Sequence, residues 1–89
     1  MADWVVYILR CADNSFYTGI TTDLQQRLQK HSEGTGAKYT RGRGPFEIVF
    51  SEPHLTRGAA LKRELEIKAL DRAAKEKLAG ASKVVRSAL

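Results

Sequence analysis

The first stretch of the chain is almost entirely apolar. From Trp4 to Cys11 only Arg10 is charged, and β-branched and aromatic residues dominate. A strand that is apolar on both faces is typical of the centre of a sheet covered on two sides. Turn residues occupy positions 12–15, and positions 16–21 again have the composition of a strand. The pattern therefore predicts a central strand and its hairpin partner.

The register of this hairpin decides which side chains meet. If Cys11 faces Ser15, then Tyr7 faces Gly19, and Tyr17 lies diagonally from Tyr7 at roughly 7–8 Å on the same face. A slip by one residue would place the tyrosines on opposite faces. Because a glycine within a strand often marks the close approach of a ligand or of another backbone, this register predicts two phenols around a gap. Tyrosines are also ordinary strand residues, so simple packing is the alternative.

A first helix is predicted over 23–33. Thr22 and Gln25 have the spacing of a capping box, and Gly34 is a typical helix stop. Four side chains share one arc about 100° wide on this helix: Leu24, Arg27, Leu28 and His31. Arg27 and His31 would therefore flank a buried stripe. One possibility is that both side chains extend past the sheet edge into water. The other is that the guanidinium of Arg27 and the imidazole of His31 bind a phosphate.

The stretch 34–45 has the composition of a loop, with four glycines. Its cations and its tyrosine suit a nucleic-acid backbone and an unpaired base, although a solvated connector has the same composition. The residues concerned are Lys38, Tyr39, Arg41 and Arg43. Positions 46–51 alternate as a third strand does, and Pro53 is expected to end it.

A second helix is predicted over 57–69, with Thr56 as its N-cap. The expected inward arc holds Ala60, Leu61, Leu65 and Ile67. Glu64 and Lys68 lie in the middle of that arc, whereas Glu66 lies about 200° away from Glu64 and should face water. A carboxylate on an apolar face needs a partner, because burying an unpaired charge is costly. Glu64 either pairs with Lys68 or binds a divalent metal ion such as Mg²⁺.

A short third helix is predicted from Asp71 to Gly80, with Ala74 and Leu78 as its apolar pair. The 89 residues, 43% hydrophobic and 28% charged, predict one folded domain over 1–80 and a flexible tail over 81–89.

The net charge of +5 points weakly to a polyanionic partner. One cysteine and two histidines are too few for a structural zinc site. No apolar run approaches the ~20 residues of a membrane span, and the start lacks the basic region of a signal peptide. We therefore expect a cytoplasmic protein without a membrane partner.

Several of these residues recur in one known family. The segments Val5-Val6-Tyr7 and Tyr17-Thr18-Gly19, followed by Arg27, His31 and Glu64, resemble the GIY-YIG nuclease family in order and spacing. A Gly-Ala-Lys-Tyr-Thr-Arg loop at 36–41 strengthens the resemblance to small single-domain bacterial members and to structure-specific nucleases. The resemblance covers about 3–79. It implies an α+β fold, with a three-stranded antiparallel sheet flanked by helices, and metal-dependent cleavage of phosphodiester bonds in DNA.

The resemblance also implies a role for each matching residue. Tyr17 would be the general base or its partner, with Tyr7 beside it positioning water. Arg27 would bind the scissile phosphate, and His31 would assist proton transfer. Glu64 would hold a single Mg²⁺ or Mn²⁺ ion, which offsets charge on the leaving oxygen.

Gly19 would leave room for the substrate.

Two positions depart from the family pattern: residues 5–7 read Val-Val-Tyr rather than Gly-Ile-Tyr, and Ile20 replaces a lysine that some members have. The second change removes a cation that could activate a phenol, and Lys38 or Lys68 could take its place.

Two functions therefore stay open. The first is an active endonuclease, whose substrates could include branched or single-stranded repair and recombination intermediates. The second is a nucleic-acid-binding module that cuts slowly or not at all and acts with a partner protein. If the loop does not contact DNA, the footprint would lie on the basic residues of the second and third helices: Lys62, Arg63, Arg72, Lys75 and Lys77.

Overall fold

The computed structural model of the chain describes residues 3–34 and 42–81. In this part of the chain three antiparallel strands form one sheet in the order β2-β1-β3, and three helices pack against it. The elements in chain order are β1 Trp4–Arg10, β2 Phe16–Thr21, α1 Leu24–Glu33, β3 Glu47–His54, α2 Arg57–Lys68 and α3 Arg72–Ala81. The predicted α+β fold is confirmed.

The two faces of β1 support two separate apolar clusters. Val6 and Ile8 point to one face, where Ala60 and Ile67 of α2 cover them. Tyr7 and Leu9 point to the other face, which is covered by Leu28 of α1 and by Phe46. Burial on both faces explains why β1 is apolar throughout, as predicted for a central strand.

The hairpin has the predicted register. Tyr7 pairs with Gly19, Leu9 pairs with Tyr17, and the amide of Cys11 donates to the carbonyl of Ser15 at 2.8 Å. Tyr7, Tyr17 and Gly19 therefore share one face, because directly paired residues point the same way.

The N-cap of α1 differs from the prediction by one residue. Asp23 is extended, and its carboxylate accepts a hydrogen bond from the amide of Gln26 at 3.1 Å. An N-cap side chain accepts from the amide two or three residues further on. Asp23 makes this bond to Gln26, so Asp23 and not Thr22 is the cap. Gly34 ends the helix in the left-handed region with a φ of 80°, as expected for a C-cap glycine.

The prediction that Pro53 ends the third strand is wrong. Pro53 lies within β3 and pairs with Val5. An edge strand tolerates proline because only one of its sides needs backbone donors, and β3 is at the edge of the sheet.

The inward arc of α2 is narrower than predicted. Thr56 caps the helix, and Ala60 and Ile67 are buried. Leu65, expected to point inward, is 65% exposed. At 100° per residue Leu65 lies about 140° from Ala60, so a helix that packs Ala60 on the sheet turns Leu65 to water. Glu66 faces water, as predicted.

Gly80 does not stop α3, which continues to Ala81. A glycine costs a helix about 1 kcal/mol relative to alanine but does not forbid it, and neighbouring Ala79 and Leu78 anchor this turn in the core. Of the tail predicted over 81–89, Ala81 belongs to α3, and residues 82–89 lie outside the described residues. The domain boundary at residue 80 stays a prediction. No helix in the described ranges is long and apolar enough to cross a membrane.

Candidate active site

A buried hydrogen bond joins β1 to α1. The phenol oxygen of Tyr7 and Nε2 of His31 are 3.0 Å apart, and each residue is only 1% exposed. Burial raises the pKa of the Tyr7 phenol well above its usual range. Burial and then the charge of Arg27 lower the pKa of His31, so its imidazole is neutral at pH 7. Two uncharged groups that share a hydrogen bond thus lie at the centre of this face.

Tyr17 completes a cluster of three rings. Its ring centre lies 6.3 Å from that of Tyr7 and 5.3 Å from that of His31. Unlike those two residues it is partly exposed. Burial and the charge of Glu64 raise the pKa of Tyr17, and Arg27 opposes them.

Gly19 is required by the packing of Tyr7. A Cβ atom at this position would lie 2.6 Å from the phenol oxygen of Tyr7, 2.8 Å from its Cζ and 3.1 Å from Cε2 of Tyr17. The resemblance implied that Gly19 leaves room for substrate. In the structure the Tyr7 side chain takes that room, so the glycine lets a phenol lie directly on the β2 backbone.

Phe46 supports this cluster and was missed at the level of sequence. It is 2% exposed, and its ring centre lies 5.9 Å from that of His31 in an edge arrangement. Gly44 gives it space, because a Cβ there would approach the Phe46 ring to 3.3 Å. The only signal in the sequence was an aromatic residue at the start of a predicted strand, which is also typical of an ordinary core position.

Two opposite charges act on the ring cluster. Glu64, on α2, raises the pKa of both tyrosines, and Arg27, on α1, opposes it at both. The Glu64 side chain is 14% exposed, and Nζ of Lys68 lies 3.6 Å from its carboxylate. The ion pair with Lys68 that the sequence allowed is therefore present, and Lys68 itself is half exposed. The fold brings all five predicted catalytic residues to one region: Tyr7, Tyr17, Arg27, His31 and Glu64.

The donor set restricts the kind of metal that could bind. Within the described ranges, no group of three or more His, Cys, Asp or Glu side chains is arranged to hold a metal ion. Glu64 offers one hard carboxylate, which fits an ion such as Mg²⁺ that keeps several waters and takes further ligands from a phosphate. It does not fit a tetrahedral zinc site, which needs three or four protein ligands.

The predicted substrate loop is described only at its end. Lys38, Tyr39 and Arg41 lie outside the described residues. Arg43 forms an ion pair with Asp13 of the hairpin turn, and its carbonyl accepts a hydrogen bond from the amide of Ala12 at 2.8 Å. Arg43 therefore fastens the end of the loop to the hairpin, a contact that the sequence did not reveal.

The stability of the protein should depend on the protonation of His31. Because the pKa of His31 is lowered in the folded state, the unfolded chain binds a proton more readily, and the free energy of unfolding should fall as the pH drops below about 6.5. Urea unfolding between about pH 7 and pH 5 measures this change. His31→Gln should flatten the dependence, and His54→Gln, at the other histidine, should preserve it. If the free energy of unfolding depends on pH equally in both variants, His31 is not the group responsible.

The chain is similar to known proteins of one family. The sequence model of the GIY-YIG catalytic domain matches residues 3–77. A UPF0213 protein of Natronomonas pharaonis is 53% identical over 77 residues, which cover 86% of this chain and 91% of that protein. The UPF0213 protein YhbQ of Escherichia coli is 47% identical over 78 residues, covering 88% of this chain and 78% of that one.

A solved structure is also similar to this chain. The solution NMR structure of a UPF0213 protein from Bacillus halodurans has a TM-score of 0.57 and 49% identity to this chain, and the match covers 86% of this chain and 82% of that one. The chain therefore belongs to the GIY-YIG family of nucleases and is similar to its small UPF0213 members.

Proposed function

We propose that this protein is a divalent-metal-dependent endonuclease that hydrolyses phosphodiester bonds in DNA. The observation that supports this most is the hydrogen-bonded pair of Tyr7 and His31, packed against Tyr17 and subject to the opposite charges of Arg27 and Glu64. A phosphodiester hydrolase needs a donor for the phosphate, a path for the proton of the attacking water and a charge that holds a cation. Arg27 is the donor for the phosphate, Tyr17 and His31 can carry the proton, and Glu64 supplies the charge for the cation.

The burial of the two tyrosines divides their roles. Tyr17 is partly exposed, so its phenol is the one that contacts the attacking water. Tyr7 is 1% exposed and acts through its hydrogen bond to His31, which fixes the orientation and the tautomer of the imidazole. Arg27 binds the scissile phosphate, because a guanidinium offers two parallel donors to phosphate oxygens. Glu64 holds the metal ion, which, when bound, stabilises negative charge on the leaving oxygen.

Arg27→Lys should lose nearly as much cleavage activity as Arg27→Ala. Lysine keeps the positive charge but cannot present a planar pair of donors to the phosphate. We expect both variants to lose about 100-fold or more in cleavage rate, as is typical when a donor to developing charge is removed. Single-turnover cleavage at saturating DNA measures the loss. Full activity of the lysine variant would reduce the role of Arg27 to general electrostatics.

The proposal is tested directly by incubating the protein with branched and linear DNA in Mg²⁺, in Mn²⁺ and in EDTA. Cleavage that needs a divalent ion supports it, and the branched members of the panel report the preferred DNA form. Cleavage that is equal in EDTA contradicts it.

One observation favours the second candidate, a binding module that cuts slowly. The carboxylate of Glu64 already pairs with Nζ of Lys68 at 3.6 Å, so a metal ion would have to displace this cation. Ile20 does not bear on the choice, because it lies on the face of β2 opposite Tyr17 and a lysine there would point away from the phenols. DNA binding without metal-dependent turnover on any member of the panel would favour this candidate.

A further inference from the structure

Two arginines approach one aromatic ring where the hairpin turns. The guanidinium carbon of Arg72 lies 4.4 Å from the centre of the Phe16 ring, and that of Arg10 lies 5.4 Å from it. Phe16 is the first residue of β2 and pairs with Arg10, the last residue of β1, whereas Arg72 is the first residue of α3. Cationic groups are attracted to the face of an aromatic ring, so Phe16 orders both guanidinium groups. We call these three residues the Phe16 cluster.

The acidic neighbours of the Phe16 cluster neutralise it only weakly. Nη1 of Arg10 lies 3.9 Å from the carboxylate of Glu47, with side chains 30% and 32% exposed. Nε of Arg72 donates to Glu76 at 3.2 Å, with side chains 46% and 51% exposed. Ion pairs this exposed contribute little, so another anion can replace either carboxylate.

The hydrogen-bonding capacity of Arg10 is not fully used. Its Nε is buried and has no hydrogen-bond partner among the described residues. A buried donor without an acceptor is unfavourable, and a small rotation of the guanidinium toward an incoming oxyanion would relieve it. Phosphate suits this need because its oxygens accept two parallel donors from one guanidinium.

The Phe16 cluster lies beside the candidate active site, across one strand. Phe16 and Tyr17 are consecutive in β2, so their side chains point to opposite faces of the sheet. β2 is an edge strand that pairs only with β1 in the described sheet. A polymer that passes over this edge can therefore contact Tyr17 on one face and the Phe16 cluster on the other.

We propose that Arg10 and Arg72, held by Phe16, bind a backbone phosphate of the DNA substrate that neighbours the scissile phosphate at the β2 edge. The inference rests on the proposed function, since it takes DNA as the polymer. It makes the cluster a substrate-binding surface outside the catalytic residues. The competing explanation is that the two arginines only pack on Phe16.

The test measures DNA binding without cleavage. Binding of a labelled DNA duplex is followed in EDTA over a series of salt concentrations, for the wild type, Arg72→Gln and the Arg10→Gln/Arg72→Gln double variant. Replacing Arg72 weakens the contact, and replacing both arginines removes one phosphate contact on the duplex, so the slope of log K against log salt should fall by about 0.9 in the double variant.

A matched control is provided by Arg57→Gln. Arg57 also lies over an aromatic ring, with its guanidinium carbon 6.0 Å from the centre of Trp4. Trp4 is at the opposite end of β1, about 20 Å from Arg10 at the rise of a strand, so this variant removes the same charge far from the cluster. Its slope should change by less than half as much as that of Arg72→Gln.

A second comparison removes a competing carboxylate instead of an arginine. Glu76→Gln frees Arg72, whereas Glu66→Gln removes an equally exposed carboxylate that pairs with Arg63. Both changes add the same net charge. Glu76→Gln should therefore tighten DNA binding at low salt clearly more than Glu66→Gln, a difference that a purely structural role of Arg72 would not produce.

The outcomes separate this inference from the proposed function. Unchanged slopes in folded variants, with wild-type protein that binds and cuts DNA, overturn the inference alone. Wild-type protein that does not bind DNA overturns both. If the double variant fails to fold, the slope of the Arg72→Gln variant alone tests the inference. This variant should fold, because Arg72 is half exposed. A loss of cleavage rate at saturating DNA would place the cluster at the scissile phosphate and would contradict its assignment to the neighbouring one.

Discussion

Glu64→Gln is expected to reduce DNA cleavage by about 100-fold to 1000-fold while DNA affinity and fold are retained. The change removes a negatively charged oxygen ligand with almost no change in volume, and a metal ion contributes several kcal/mol to the stabilisation of the transition state. The lost ion pair with Lys68 matters little to stability, because Lys68 is half exposed. Cleavage rate at saturating DNA and Mg²⁺, binding in EDTA and thermal unfolding measure the three quantities.

Glu66→Gln is the control for this experiment. Glu66 is two residues further along α2, is about half exposed and pairs with Arg63 at 3.4 Å. The same chemical change there should leave cleavage within about twofold of wild type, since surface substitutions usually have small effects. If both variants lose cleavage equally, Glu64 does not have the special role assigned to it.

Gly19→Ala should reduce both stability and cleavage, because it acts on packing and on the site together. The added methyl group would overlap the buried phenol of Tyr7, whose oxygen would be only 2.6 Å away. The ring can move only by lengthening its hydrogen bond to His31 or by displacing its neighbours. We expect a loss of about 1–3 kcal/mol in the free energy of unfolding and a loss of about 100-fold in cleavage, as for a displaced catalytic group.

Gly58→Ala makes the same substitution where space is available. A Cβ at position 58, in the first turn of α2, would meet no atom within 4 Å. This variant should be neutral or more stable by up to about 1 kcal/mol, with unchanged cleavage. Urea unfolding and cleavage assays on the two alanine variants test the explanation. A fully stable and active Gly19→Ala protein would contradict the close packing of Tyr7 on β2.

The hairpin and the helix ends could be predicted from sequence because they depend on neighbouring residues. The turn between β1 and β2 is short, so its length sets the register and thereby brings Tyr7 opposite Gly19. Thr56 caps α2, and Gly34 ends α1, through bonds within a few residues. The exact N-cap of α1 is an exception, because the sequence predicts Thr22 and the structure has Asp23.

The position of Glu64 could be predicted only in part. Helix periodicity placed its carboxylate on an apolar face, and the structure places it 14% exposed beside Lys68. The same periodicity placed Leu65 inside, whereas it is largely exposed. A helical wheel gives the angles between residues but not the direction in which the sheet lies, and the contact of Ala60 and Ile67 with β1 decides that direction.

The sequence by itself therefore determined the strand and helix order, the shared face of Tyr7, Tyr17 and Gly19, and the family. Only the tertiary structure decided that the Tyr7 ring fills the space at Gly19, that Phe46 supports His31 and that Arg43 pairs with Asp13. The physical reason is the distance along the chain. Turns, caps and strand alternation arise from interactions within a few residues, whereas these contacts join residues 12 to 30 positions apart and form only when the helices and loops close on the two faces of the sheet.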